Sequence, residues 1–268
     1  MGRGSSAPGQ LKEARHPACQ VGIEYGRRAR CPRCGGAAIL RARIALDPQS
    51  SQDRVVAPNF EQAAGLLAEV GERFDARNWV LGTSGNFSVV LGRDPLRLAM
   101  TRSGMAKGRL DLDAIVEIDG DGTVVRPAGA RPSAEALLHV EIVRARGAGA
   151  VLHTHSIWST ILSNRHASAG GLGIAGYEML KGLEGISTHE QEEWIPILEN
   201  DQDMTRLAGR LRQVLAEHAA CHAFLLRRHG MYTWGQTLPQ AVRHVEIVEF
   251  LLETVGRTEA MESPSWQS

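Results

Sequence analysis

The sequence predicts one layered domain of the α/β or α+β class, with helices packed against a central sheet. Short apolar runs that predict strands alternate along the chain with segments of helical periodicity, and no segment repeats another. Alternation of this kind is typical of domains built from packed layers of helix and sheet. The 268 residues are at the upper end of what one such domain holds, and they suffice for a large core.

The charge balance argues against nucleic acid and membrane surfaces as partners. Thirty Lys and Arg residues offset thirty Asp and Glu residues, so the net charge is zero and no global field attracts a polyanion. No run of eighteen apolar residues predicts a transmembrane helix, and the polar N-terminus lacks the apolar region of a secretory signal. Of four cysteines, only Cys221 lies in the body of the chain, where we expect a buried, inert thiol. A reducing, cytoplasmic setting fits this usage best.

Residues 1–57 have a composition unlike the rest of the chain. They hold ten Lys and Arg residues against four Asp and Glu residues, many Gly, Ser and Pro residues, and no sustained periodicity. Such a segment buries too little apolar surface to offset the entropy of ordering it. We therefore expect a disordered extension, or translated sequence upstream of the natural start. The catalytic domain is expected over residues 58–258, and a short tail over residues 259–268.

A CxxC pair, Cys31 and Cys34, lies within this extension. With Cys19 and His16 it could form a small zinc knuckle, but a strong signal needs a second ligand pair at matching spacing, and the sequence has none. The sequence therefore favours an unstructured extension over a folded zinc module.

The elements of the folded body follow from periodicity and turn residues. Helices are predicted over residues 60–77, from Ser133 to about Arg146, and over residues 156–164, 203–218 and 238–256. Ser133 is expected to be the N-cap of its helix, because its hydroxyl can accept from a free backbone N–H group. Residues 115–118 and 123–125 flank a DGDG turn and predict a hairpin. The glycine-rich stretch 170–173 is expected to be a flexible connection.

Three histidines at strand ends form the candidate metal site. His153 and His155 follow a short apolar strand, and side chains two residues apart on an extended chain project to the same face. His229 ends a second apolar run, and Gly230 frees the backbone just past it. Imidazole is the commonest side-chain metal ligand, and a catalytic zinc has three protein ligands and an open position. The three histidines therefore predict a catalytic zinc site rather than a pair of ordinary strand-end histidines.

Three turns rich in glycine and hydroxyl groups form a candidate phosphate site. Small residues let the chain turn tightly and expose backbone N–H groups, which suit an anion together with hydroxyl and amide side chains. The third turn opens a helix, and a helix N-terminus attracts phosphate. Each turn alone reads as an ordinary turn, but three of them near the metal candidates favour a phosphate site. The candidate residues are Ser84, Gly85, Asn86, Ser103, Gly104, Lys107, Ser133 and Glu135.

Glu178 lies in an apolar stretch and is a candidate acid and base. Burial beside Tyr177 and Leu180 would raise the pKa of its carboxyl group by desolvation and suit it to proton exchange near neutral pH. The alternative is a surface pair between Glu178 and Lys181, three residues further along the chain.

The order of these motifs resembles the class II aldolase/epimerase-like family. The motifs are Gly85-Asn86, Thr101-Arg102-Ser103-Gly104, Pro132-Ser133-Ala134-Glu135, His153-Thr154-His155 and Arg228-His229-Gly230. The resemblance covers roughly residues 60–256 and leaves the N-terminal extension unmatched. The family includes sugar-phosphate aldolases, epimerases and a ketose-phosphate dehydratase. The stretches 178–182, 188–189 and 227–235 look like the dehydratase subgroup rather than the aldolases.

The resemblance implies a three-layer α/β/α fold whose central sheet is mainly antiparallel, assembled as a homotetramer. It implies one Zn²⁺ per subunit on His153, His155 and His229, and a small sugar-phosphate substrate. The implied activity is that of a zinc-dependent hydro-lyase in methionine salvage. The dehydratase pattern implies Glu178 as the acid and base, whereas the aldolase pattern implies Glu135, a metal-associated carboxylate. Both carboxylates remain candidates for one role.

Two other functions remain open at the level of sequence. An aldolase or epimerase of the same family would use the same metal and phosphate sites, so only the groups over the C4 hydroxyl of the substrate separate it from a dehydratase. A structural-zinc or adaptor protein would need a fourth, closing ligand. The sequence shows no obvious fourth ligand, since the other histidines of the body are expected in helices and loops, although His189 could line the pocket.

Overall fold

The computed structural model describes Met1 and residues 57–262, and residues 57–262 lie in one compact unit. The predictions made for the N-terminal extension, for Cys31 and Cys34, and for residues 263–268 lie outside the described residues. No helix in the described part of the chain is both long and apolar enough to cross a bilayer.

Residues 57–262 form five α-helices and nine β-strands. The helices are α1 (Phe60–Asp75), α2 (Ala136–Arg146), α3 (Ile157–Arg165), α4 (Met204–Glu217) and α5 (Leu238–Glu262). The strands are β1 (Asn86–Arg93), β2 (Leu96–Thr101), β3 (Ile115–Asp119), β4 (Val124–Arg126), β5 (Ala150–Thr154), β6 (Gly171–Ile174), β7 (Glu193–Leu198), β8 (Ala223–Leu226) and β9 (Gly230–Gly235). The predicted helices and the predicted hairpin of β3 and β4 are all present, with ends shifted by a few residues.

The nine strands form one sheet in the order β4-β3-β2-β1-β5-β9-β8-β7-β6. Every neighbouring pair is antiparallel except β7 and β8, which run parallel. The fold class is therefore confirmed as α/β with a mainly antiparallel central sheet. β5 lies between β1 and β9 in this order, so both of its edges are hydrogen-bonded.

Helices cover both faces of the sheet, which gives the three layers expected. Buried residues of α1, α3 and α5 form one apolar cluster with side chains from one face, and those of α2 and α4 form a second cluster with the other face. Successive residues of β5 alternate between the clusters: Val151 packs on the α2 and α4 side, and Leu152 on the α5 side. This alternation is the ordinary two-residue period of a strand.

α1 shows how the sequence sets one of these helices. Asn59 is its N-cap: the Asn59 side chain accepts from the Gln62 backbone N–H, and the Gln62 side chain accepts from the Asn59 backbone N–H. This reciprocal pair satisfies two donors that the start of a helix leaves free. Leu67 and Phe74, at helical spacing, are fully buried against the sheet. The end of the helix at Asp75 agrees with the predicted helix to within two residues.

Two local predictions were wrong. Residues 171–174 form edge strand β6, not a flexible connection, because Leu172 is buried in the core and the stretch pairs with β7. Ser133 is not the N-cap of α2: the helix begins at Ala136 after Glu135, and the Ser133 hydroxyl instead accepts from the Glu135 backbone N–H at 3.3 Å. At residues 171–174 tertiary pairing with β7, rather than local residue preference, decides the backbone conformation.

Candidate metal centre and active site

Neighbouring strands in the middle of the sheet bring the three histidines together. His153 lies on β5, directly opposite Asn86 of β1 and Tyr232 of β9 in the strand register. His155 follows two residues later, just beyond the end of β5. His229 immediately precedes β9, so it lies at the end of the strand that pairs with β5. Segments far apart in the sequence thus meet at one end of two paired strands.

The imidazole nitrogens of the three histidines converge on one point. Nε2 of His155 lies 2.8 Å from Nε2 of His153 and 3.1 Å from Nε2 of His229. One nitrogen from each ring lies within 4.8 Å of the other two. Two ligands of a tetrahedral zinc ion, each about 2.0–2.1 Å from the metal, are roughly 3.3 Å apart, so these separations suit a single ion.

The protonation of the site also suits metal binding. Burial lowers the pKa of His153 well below its usual range, and burial followed by the charge of His153 lowers the pKa of His155 to about 3. Both rings are therefore neutral at physiological pH, which is the form of imidazole that binds metal. Nδ1 of His153 lies 2.9 Å from the Met231 carbonyl oxygen. Donation from Nδ1 leaves Nε2 unprotonated and facing the other rings.

Glu135 is the carboxylate that faces the histidines. Its Oε2 lies 3.5 Å from Nε2 of His153, and its Oε1 lies 3.4 Å from Nε2 of His229. Asn86 fixes its orientation by donating from Nδ2 to Oε2 at 2.6 Å. Three imidazoles and a nearby carboxylate together can hold a divalent cation and leave a position open for substrate.

A cavity of about 250 Å³ opens beside His155 and His229. Most of the residues that line it are polar, and they come from turns at the ends of several strands. Of the candidate residues it is lined by Ser84, Gly85, Asn86, Ser103, Gly104, Lys107, Ser133, Glu135, His155 and His229. His153 is fully buried behind His155. The structure therefore brings together all three turns of the candidate phosphate site beside the three histidines.

Lys107 connects two of these turns. Its side chain is buried, and its Nζ donates to the carbonyl oxygens of Thr83, at 3.0 Å, and Met105, at 2.7 Å. Burial lowers the pKa of Lys107 to about 8, and the charge of Glu135 offsets part of this shift. The ammonium group thus holds the turns at residues 83 and 105 together at the wall of the cavity.

The lowered pKa of Lys107 predicts how substrate affinity changes with pH. An ammonium group attracts a phosphate dianion and a neutral amine does not, so KM is expected to rise as pH increases from about 8 towards 10. In Lys107→Met, KM should be raised already at pH 7, and its further rise above pH 8 should be absent. Steady-state kinetics from pH 7 to 10 on both proteins measure this, and an equal rise in both would contradict the assignment.

The environment predicted for Glu178 is wrong. Glu178 begins an exposed 3₁₀ turn (Glu178–Gly182) instead of lying in an apolar cleft, and its Oε1 accepts from Lys181 Nζ at 2.7 Å. The hydrogen bond and charge of Lys181 lower the pKa of Glu178, whereas desolvation was expected to raise it. Its carboxylate lies 3.8 Å from Nδ1 of His189, and neither residue lines the cavity. Leu180 takes the buried position that had been expected for the carboxylate.

Several residues of the site carry no recognisable sequence signal. Tyr232 stacks on His153 with ring centroids 3.9 Å apart, and burial, followed by the charge of Glu135, raises the pKa of its phenol well above the usual value. Asn200, Gln202 and Met204 complete the cavity from the loop after β7 and the start of α4. The position of Tyr232 opposite His153 can be predicted only when the register between β5 and β9 is known.

The fold is that of a class II aldolase domain. Residues 65–255 match the model of the class II aldolase and adducin N-terminal domain. Among solved structures, the chain is similar to the L-fuculose-1-phosphate aldolase of Thermus thermophilus, with 23% identity, a TM-score of 0.60, and coverage of 76% of this chain and 98% of that one. Another L-fuculose 1-phosphate aldolase has 22% identity and a TM-score of 0.62, with coverage of 75% and 88%. At this identity the two structures show the fold alone.

The chain belongs to the class II aldolase and adducin family. Its curated relatives include the methylthioribulose-1-phosphate dehydratase of Methylococcus capsulatus, 44% identical over 74% of this chain and 95% of that protein. The methylthioribulose-1-phosphate dehydratase of Sorangium cellulosum is 40% identical over 73% of this chain and 92% of that protein. These relatives are nearly twice as similar in sequence as the two aldolases of known structure.

Proposed function

We propose that the chain is a methylthioribulose-1-phosphate dehydratase, which removes water from 5-methylthioribulose 1-phosphate in methionine salvage. The product is 2,3-diketo-5-methylthiopentyl 1-phosphate. The observation that carries the proposal is the convergence of three imidazoles beside a cavity lined by hydroxyl groups and Lys107. A metal centre and an anion site side by side are what a ketose-phosphate substrate requires.

The choice between dehydratase and aldolase rests on the relatives, because both reactions use the same two sites. Relatives at 40–44% identity over nearly their whole length are named as dehydratases. The aldolase alternative is supported by structures at 22–23% identity, a level at which only the fold is shared. The dehydratase is therefore the better supported of the two functions.

We propose zinc as the metal, one ion per chain, on His153, His155 and His229. All three ligands are imidazoles, which suit a borderline-soft ion such as zinc better than the oxygen-preferring magnesium or calcium. A divalent metal held there supplies a Lewis acid for the substrate's C2 carbonyl oxygen. Metal analysis of the purified protein, with one zinc expected per chain, tests this part of the proposal.

The side chains of the cavity bind and orient the substrate. The phosphate is placed against the turns that carry Ser84, Ser103 and Ser133, with Lys107 supplying positive charge. This directs C2 and C3 towards His155 and Glu135, which line the same cavity. Dehydration then needs one group to take the proton from C3 and a protonated group to let the C4 hydroxyl leave as water.

We propose Glu178 as the acid and base, and Glu135 as the carboxylate that holds the metal site in order. Glu135 contacts two ligand histidines and Asn86, which suits a role in organising the metal. The proposal for Glu178 is supported by the likeness of the stretch 178–182 to the dehydratase subgroup. This likeness alone carries the proposal for Glu178, since in the single chain its carboxylate accepts from Lys181 and does not line the cavity. A homotetramer and a cytoplasmic setting are further parts of the proposal, supported by the family resemblance.

The experiment that tests the proposed function is a comparison of two substrates. The purified, zinc-loaded protein is incubated with methylthioribulose 1-phosphate and, separately, with L-fuculose 1-phosphate, and the products are identified by NMR and mass spectrometry. We expect the first substrate to lose one water and the second to be unchanged. Cleavage of fuculose 1-phosphate into dihydroxyacetone phosphate and an aldehyde, with the first substrate unchanged, would establish the aldolase alternative.

A further inference from the structure

The side chain of Thr154, the residue between His153 and His155, faces away from the metal site. His153 continues the β5 face of Val151, towards α2 and α4, whereas Thr154 continues the face of Leu152, towards α5. Thr154 is fully buried. Whatever holds the Thr154 side chain therefore acts on the backbone that carries His153 and His155.

The group that holds Thr154 is Glu249 of α5. The Thr154 hydroxyl donates to Oε1 of Glu249 at 2.9 Å. Ser156, on the other side of His155, lies near the same carboxylate and lowers its pKa, while its hydroxyl donates to Ser159 Oγ. Glu249 is only 3% exposed, among the apolar residues of α5 that pack on the sheet.

Burying the carboxyl group of Glu249 costs folding free energy, so a glutamate at this position of α5 needs an explanation. Burial raises the pKa of Glu249 to about 7, and the hydroxyl groups of Ser156 and Thr154 offset part of that shift. A leucine would fill a buried helix position at no such cost, since an acidic group needs hydrogen-bond partners when it leaves water. Neither Glu249 nor Thr154 lines the cavity, so the pair has no direct contact with substrate.

We propose that Glu249 is a positioning residue of the metal centre: through its hydrogen bond with Thr154 it fixes the backbone of residues 153–155 and hence the directions of the His153 and His155 imidazoles. This inference rests on the metal site of the proposed function, but not on its substrate or reaction. Outer partners of metal ligands usually bond to the ligand ring itself; here the restraint acts on the strand between two ligands.

A second contact extends the restraint to the third ligand. The Thr160 hydroxyl on α3 lies 2.9 Å from the Ser156 carbonyl oxygen and 3.1 Å from the His229 carbonyl oxygen. Ser156 is also the N-cap of α3, because its hydroxyl accepts from the Ser159 backbone N–H. A shift of residues 154–156 is therefore transmitted to the loop that carries His229.

The test is to remove the bond from either side and measure metal affinity without substrate. Thr154→Val and Glu249→Leu each remove the hydrogen bond, and Thr154→Ser keeps the hydroxyl. Zinc Kd is measured by competition with a chromophoric chelator, and the Co²⁺-substituted protein reports ligand geometry through its visible absorption. We expect Kd to rise about 10–100-fold in Thr154→Val and in Glu249→Leu, with altered Co²⁺ spectra, and Thr154→Ser to be close to wild type.

The double variant and a matched control complete the design. Thr154→Val and Glu249→Leu remove the same hydrogen bond. The double variant is therefore expected to bind zinc no more weakly than the single variant that has the higher Kd. Glu262→Gln, an exposed carboxylate at the end of the same helix, should leave Kd and spectrum unchanged. Wild-type Kd and spectra in Thr154→Val would overturn the proposal, and this variant decides the matter if Glu249→Leu fails to fold. Metal affinity is measured without substrate, so a failure of the dehydratase assignment would not affect it.

Discussion

Replacing His153, His155 or His229 with alanine is expected to abolish turnover, together with the binding of the metal. Each change leaves two imidazoles where a catalytic zinc needs three protein ligands. The three nitrogens converge within one site, so none of the remaining histidines of the cluster can replace the one that is lost. Zinc content after dialysis against a weak chelator should fall well below one per chain, and kcat should fall to the background rate.

The control for these variants is a histidine outside the cluster. His218, at the end of α4, lies beside Trp194 with ring centroids 6.3 Å apart and does not line the cavity, so His218→Ala should retain both zinc and activity. Thermal melting of the metal-free proteins separates a lost ligand from a lost fold. Near-stoichiometric zinc in all three ligand variants would refute the three-histidine centre.

A large loss of kcat is also expected when Glu178 is replaced, and the same replacement at Glu135 serves as the comparison. Glu178→Gln should retain zinc and bind substrate but lose kcat by about 10²–10⁴-fold, the usual contribution of a general acid or base. Glu135→Gln should chiefly weaken metal retention, because its carboxylate lies 3.4–3.5 Å from two ligand nitrogens. Zinc content, KM and kcat of both variants distinguish the two roles.

Glu190→Gln serves as the matched control, since Glu190 is an exposed carboxylate on the loop that follows the Glu178 turn. It should behave as wild type in all three measurements. If Glu135→Gln abolishes turnover with zinc retained while Glu178→Gln is nearly unaffected, Glu135 is the acid and base. The assignment would then follow the aldolase pattern, and the dehydratase function would lose its support at the level of residues.

The parts of the fold that could be predicted were those with a local signal. The period of apolar residues predicted α1, and the DGDG turn predicted the hairpin of β3 and β4. β6 was missed because its glycines read as a connection, while its strand conformation comes from pairing with β7. Pairing across the sheet is a tertiary effect that no window of residues contains.

The residues of the candidate site likewise fall into those with a local sequence signal and those without one. The His153-Thr154-His155 motif and the position of His229 at a strand end were enough to predict three converging imidazoles. The geometry of a strand fixes which side chains share a face. The surroundings of Glu178 could not be predicted, since only Leu180 of its apolar neighbours is fully buried, and the exposed Glu178 carboxylate accepts from Lys181. Tyr232 and Glu249 were missed because their contacts, with His153 and Thr154 respectively, form only in the folded structure.

The central position of β5 also has a consequence for how the protein is made. Ribosomes release the N-terminal strands first, so β1 and β5 can pair while β9, at residues 230–235, has not yet been synthesised. Until then one edge of β5 remains open, with unpaired backbone groups that invite association with other chains. The nascent chain also carries two ligands without the third. The three-histidine cluster can therefore be complete only after the C-terminal strands have been released.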